Sequence, residues 1–215
     1  MAPDRERWAT LTGLDVTYAQ RWCSAWADLL LTDMALMYRA ELEPTMENMF
    51  RRRAYWESAT VSYGRLIVSD KKRKIPFKEF IGEVTGDDGL ALHEQIMNWR
   101  QQHVAHRTGN QYESVETVLA FEHGSATPNA LKIVLGVDMG PLDDSEFVEA
   151  FREHVKTLRD AMYERKLHPL GEKIIEYFNA TRPLVQIRPA LNQSSLERYV
   201  VEYRLFELAG GEAAQ

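Results

Sequence analysis

Along the first half of the chain, apolar residues return every three or four positions, as in helices that bury one face. Tyr18, Trp22, Ala25, Leu29 and Leu36 set this period between about Asp15 and Arg39, and Glu43-Pro44 ends it, because proline disfavours helical geometry in the residue before it. A second helix is predicted from about Thr45 to Ser69, with Met49, Trp56, Thr60, Tyr63 and Ile67 along one face and its aromatic residues in the core. After Pro76 a short helix is predicted over Phe77–Val84, and Gly86-Asp87-Asp88-Gly89 breaks it, leaving Asp87 or Asp88 to cap the next. That next helix carries Leu92, Ile96, Trp99, His103 and His106 in steps of four, three, four and three, so both histidines prolong a buried stripe. A histidine there must satisfy its ring nitrogens across an interface or in a cleft.

At Thr108-Gly109-Asn110 the helical period gives way to alternation. Val115, Thr117, Leu119 and Phe121, then Leu131, Ile133, Leu135 and Val137, flank the turn-forming stretch 123–129, which predicts a β-hairpin at about 114–138. The stretch from Pro141 to Glu146 then opens a helix whose buried face is Phe147, Phe151, Val155, Leu158 and Met162, expected to end near Pro169. A shorter helix with Ile174, Tyr177 and Phe178 follows. The fold class is therefore mainly α with an inserted β-hairpin. The helical domain is assigned to residues 1–182 and a C-terminal extension to 183–215, where Tyr199, Val201, Tyr203 and Leu205 alternate as one more strand.

Composition narrows the function classes. A chain of 215 residues with 45% hydrophobic content suffices for one full core. It has no run of eighteen apolar residues, and no signal-peptide pattern follows Met1, so the expectation is a cytoplasmic protein without a membrane span. Cys23, the single cysteine, lies in an apolar helix pattern and reads as a small buried hydrophobe. The net charge of -6 argues against a protein that coats nucleic acid, but the acidic excess lies wholly beyond residue 110. Any RNA contact is therefore expected from a local patch in the first half. Two basic clusters lie there: Arg51-Arg52-Arg53, read as a solvated helix face, and Lys71-Lys72-Arg73-Lys74, read as a charged loop.

The chemistry-bearing residues cluster at the end of the fourth predicted helix. Arg100 supplies a permanent charge, and six positions later His106 supplies a group that titrates near neutrality, together sufficient for metal-free cleavage of a phosphodiester. Six helical residues separate them by about 9 Å along the axis and about 120° around it, too far to grip one phosphate from a single helix. A two-fold partner resolves this by bringing two copies of each group to one groove. No metal site is expected: His93-Glu94 with His103 is the nearest candidate set, and its spacing puts Glu94 on the far side of the helix from His103. No glycine-rich phosphate loop or paired cysteines point to a cofactor either.

Long helices followed by a helix ending Arg100-Gln101-Gln102-His103-Val104-Ala105-His106-Arg107 resemble the HEPN superfamily, the higher eukaryote and prokaryote nucleotide-binding domains, and most nearly its abortive-infection-like branch. Tyr63-Gly64-Arg65-Leu66 in the preceding helix resembles the pattern found upstream of that motif, and the likeness covers roughly residues 15–180. The resemblance implies an up-and-down helical bundle that dimerises, with Arg100 and His106 catalytic at the dimer cleft of a metal-independent endoribonuclease. Gln101, His103 and Arg107 are expected to orient the site or contact RNA. A toxin or phage-defence role, with a neutralising partner protein, is the matching biological expectation. The family motif often has Asn, Asp or His directly after the arginine, where this chain has Gln101. The alternative is a catalytically inactive HEPN-like protein acting as an interaction or RNA-binding module, in which Arg100 pairs with an acidic side chain and His106 meets the last helix carbonyls.

Overall fold

The computed structural model describes residues 7–68, 73–101, 113–137, 140–141, 145–183 and 187–189. It is mainly helical, with a two-stranded antiparallel hairpin and a second, short strand pair. The elements are β1 (Arg7–Ala9), α1 (Leu14–Glu41), α2 (Met49–Val68), α3 (Phe77–Trp99), β2 (Glu113–Phe121), β3 (Pro128–Val137), α4 (Glu146–Met162), a π-helical segment (Tyr163–Leu167), α5 (His168–Thr181) and β4 (Ile187–Pro189). The chain divides into two compact units, one of residues 25–159 and one of residues 1–24 with 160–215.

In the unit of residues 25–159, the predicted stripes form the core. Leu29 and Leu36 of α1, Trp56 and Tyr63 of α2 and Phe151, Val155 and Leu158 of α4 are all buried. Trp56 and Phe151 meet edge to face at 6.0 Å, and Tyr63 and Phe151 do so at 5.3 Å, the geometry aromatic quadrupoles favour. Helix α4 starts one residue after Ser145, whose Oγ accepts the Val148 N–H at 3.3 Å. The predicted break is present at Gly86, whose φ 66° and ψ -161° are non-helical and kink α3 into two helical stretches, the second resuming at once on the far side. Only a glycine takes that backbone conformation without a Cβ penalty.

The basic clusters depart from expectation. Arg52 is buried, and its guanidinium donates to the carbonyls of Arg39, at 3.1 Å, and Leu42. It thus closes the C-terminus of α1, where carbonyls lack helical partners. Arg51 alone of the triplet is exposed, and Arg53 pairs with Glu57 at 2.7 Å. Arg73 of the second cluster binds the buried carboxylate of Asp28, while Lys71 and Lys72 lie outside the described residues.

The hairpin follows the predicted alternation, pairing Thr117 with Ile133 and Leu119 with Leu131, with a register shift at Ala120/Phe121. Its strands run slightly beyond the predicted limits, to Glu113 and Pro128.

In the other unit, β1 and β4 pair antiparallel through Trp8 and Arg188, a pairing too short to be visible as alternation. The helix expected to end near Pro169 does not stop there. Its turns widen into the π-helical segment, where the His168 N–H reaches back to the Tyr163 carbonyl, and α5 follows with Pro169 in its first turn. Proline is tolerated at that position because it lacks only a donor that a helix start leaves unpaired. Lys173 pairs with Asp15 at 2.8 Å, and the Lys166 ammonium lies 5.4 Å from the Trp22 ring centroid. The alternating stretch Tyr199–Leu205 lies outside the described residues.

Among the described residues, no helix is long and apolar enough to cross a membrane.

Candidate functional site around Arg100 and the Tyr63 network

Arg100 sits where α3 passes into a π-helical turn at residues 100–101; its N–H bonds the carbonyls of Ile96 and Met97. The inward stripe is Gly89, His93 and Ile96, which at the next turn leads to Arg100. This differs by one position from the predicted stripe: Leu92 and Trp99 are only half-buried, at its margins. Two packing contacts fix the end of the helix. The Trp99 ring meets Trp56 edge to face at 5.6 Å and stacks on Phe147 at 6.5 Å, so the residue next to Arg100 is wedged between α2 and α4.

The Arg100 side chain runs directly over Gly64 of α2. A Cβ at position 64 would overlap Arg100 Cδ and Nε, so the glycine opens the channel in which the arginine stem lies. Arg100 is half-buried, and its Nε is buried without a hydrogen-bond partner. Among the described residues no carboxylate pairs with it. An arginine in this state keeps its fork of donors for an anion that approaches from outside.

One residue before Gly64, the Tyr63 hydroxyl lies fully buried between two histidines, 3.0 Å from His93 Nδ1 and 2.9 Å from His154 Nε2. One hydroxyl donates once and accepts from the other side, so it joins one imidazole nitrogen that carries a proton to one that does not. Both histidines are held neutral. Burial lowers the His154 pKa to about 4, with the neighbouring His93 adding to the effect. Burial also depresses His93, opposed by Glu94 and reinforced by Lys78. The Tyr63 pKa is raised, first by burial and then by Glu94. Glu94 itself is exposed and held below its ordinary value by its hydrogen bond from Lys78 at 2.7 Å.

Of the residues singled out in the sequence, Arg100 thus lies over Gly64, next in sequence to the buried Tyr63 network, and Gln101 is exposed. His103, His106 and Arg107 lie outside the described residues. His154 is a functional residue to which the sequence analysis assigns no role. Its position three residues after Phe151 and four before Leu158 puts it on the buried stripe, and that spacing was the available signal. His93 was weighed only as a metal ligand with Glu94, yet its ring points to Tyr63 and Glu94 faces solvent. Among the described residues no three His, Cys, Asp or Glu side chains are grouped to hold a metal ion. Comparison with protein-family models, with curated proteins and with solved structures gave no match.

Proposed function

We propose that the chain is a metal-independent endoribonuclease of the HEPN type, working in the cytoplasm as a homodimer whose motif helices bring Arg100 and His106 of both copies to one cleft. The observation that carries this reading is the state of Arg100: a half-buried guanidinium, held over Gly64, with no carboxylate partner among the described residues. A structural arginine in a folded core is normally neutralised by an acid, because a buried unpaired charge is costly. His106 takes the proton of a ribose 2′-hydroxyl as the 2′-oxygen attacks phosphorus, and Arg100 stabilises the extra negative charge of the phosphorane. The 5′-oxygen of the next nucleotide leaves with a proton, and a 2′,3′-cyclic phosphate remains. His106 of the second copy supplies that proton, while His103, Gln101 and Arg107 orient the site or hold the RNA backbone. Toxin or phage-defence activity, restrained by a neutralising partner, suits such an enzyme.

The test is cleavage of a mixed RNA by the purified chain with excess chelator present, with the ends of the products identified. Cleavage that persists and leaves cyclic phosphate is expected. Activity abolished by chelator and restored by a divalent ion contradicts the mechanism. One observation favours a second reading, a catalytically inactive interaction module: the hairpin presents large apolar side chains to solvent. Absence of cleavage across varied RNAs selects that reading.

A further inference from the structure

The β2–β3 hairpin has two unlike faces. Strand alternation and the register put Thr117, Leu119, Phe121, Leu131, Ile133 and Leu135 on one face, and Glu116, Val118, Lys132 and Val134 on the other. The first face has five large apolar side chains, exposed by 53% to 70%, and these residues include no charge. The charges at 116 and 132 both sit on the opposite face. A soluble two-stranded hairpin with one wet side ordinarily shows the reverse, with its apolar side against a core. An isolated two-stranded hairpin is also marginal in water, so a nine- and ten-residue pair with a bare apolar side calls for a covering layer.

We propose that this face is a self-association surface, covered by the same face of a second copy of the chain. The area fits that occupant. Five such side chains expose on the order of 500 Å², within the range of the largest apolar patches on monomers. Two copies face to face bury about 1,000 Å² in total, the lower bound for a specific interface and a size that suits a weak, concentration-dependent dimer. Glu113 falls in the same row at the far end of β2, but the patch from Thr117 to Phe121 and from Leu131 to Leu135 carries no charge on this face, and such a patch is complementary to itself, as a two-fold axis demands. The resulting arrangement is two small sheets packed at about 10 Å, with Leu131 and Ile133 near the centre. This interface is independent of RNA cleavage and separate from the motif helices.

The experiment is sedimentation velocity of the full chain over a concentration series, with three single variants and far-ultraviolet circular dichroism as the folding control. The wild type is expected to be dimeric or larger. Ile133→Lys places a charge in the centre of the face and is expected to raise the dissociation constant on the order of a hundredfold with helix content unchanged. Thr117→Lys, at the position paired with Ile133, is expected to act the same way and introduces no change at an apolar position, so it decides the matter if Ile133→Lys fails to fold. Val134→Lys, on the opposite face, is expected to associate like the wild type. A monomeric wild type overturns the proposal, as does an assembly whose size and concentration dependence neither face variant reduces, or one that Val134→Lys disrupts equally. An assembly that the face variants leave unchanged but that changes in the motif helix dissociate is held by that helix alone and overturns the proposal.

Discussion

Replacing Tyr63 by Phe removes one oxygen atom and leaves the ring packing against Phe151 in place. That oxygen makes two hydrogen bonds, of 3.0 Å to His93 and 2.9 Å to His154, in a site where all three side chains are buried. Each bond contributes about 0.5–1.5 kcal/mol net, and a buried polar nitrogen left unpaired costs about 1–3 kcal/mol. Allowing for partial relaxation of the two rings, Tyr63→Phe should destabilise the chain by roughly 2–4 kcal/mol. For a chain of this length each kcal/mol moves the melting temperature by about 2–4 °C, so a fall of roughly 5–15 °C is expected. Thermal melts followed by circular dichroism read this directly. The triple variant Tyr63→Phe, His93→Leu, His154→Leu should recover part of the loss, because apolar groups on all three sides leave nothing unpaired. A melting temperature within about 1 °C of wild type for Tyr63→Phe would refute the claim that this network is satisfied in the folded chain.

The same network predicts a pH dependence. Folding lowers the His154 pKa from its ordinary value to about 4, so the unfolded chain binds this proton near pH 6.5 and the folded chain does not until pH falls much further. Stability is therefore full above about pH 6.5 and declines between there and about pH 4, with roughly 2 kcal/mol lost by pH 5 from His154 alone; urea unfolding at pH 7.5 and pH 5 measures the difference. Gly64→Ala places a Cβ where the Arg100 stem runs. Helix content should hold or rise, while RNA cleavage falls on the order of tenfold or more because Arg100 is displaced; unchanged cleavage rates would separate Arg100 from its channel.

Much of the helical frame was legible because burial imposes a period. Spacing alone marks Leu29, Trp56, Tyr63 and Phe151 as core, and alternation marks the hairpin. What the sequence does not show depends on contacts between distant segments. Arg52 belongs to a run of three arginines and looks solvated, yet it closes the end of α1, because the pairing is with carbonyls that sequence spacing does not reveal. Tyr63, His93 and His154 come together from three helices, and only His154 had a local signal, its place on the stripe of α4. Pro169 marks a helix end in most sequences, and here a π-helical segment carries the chain through it. Within the motif, the sequence singles out Arg100, but the glycine that receives its side chain lies 36 residues earlier and carries no chemistry of its own.

The most direct measurement compares RNA cleavage by the wild-type chain with that by His106→Ala and Arg100→Ala, in chelator, with circular dichroism confirming the fold of each. Loss of a positioned proton-transfer group or of the charge that stabilises the phosphorane should lower the rate on the order of a hundredfold or more in either variant. Equal rates in wild type and His106→Ala would contradict the account.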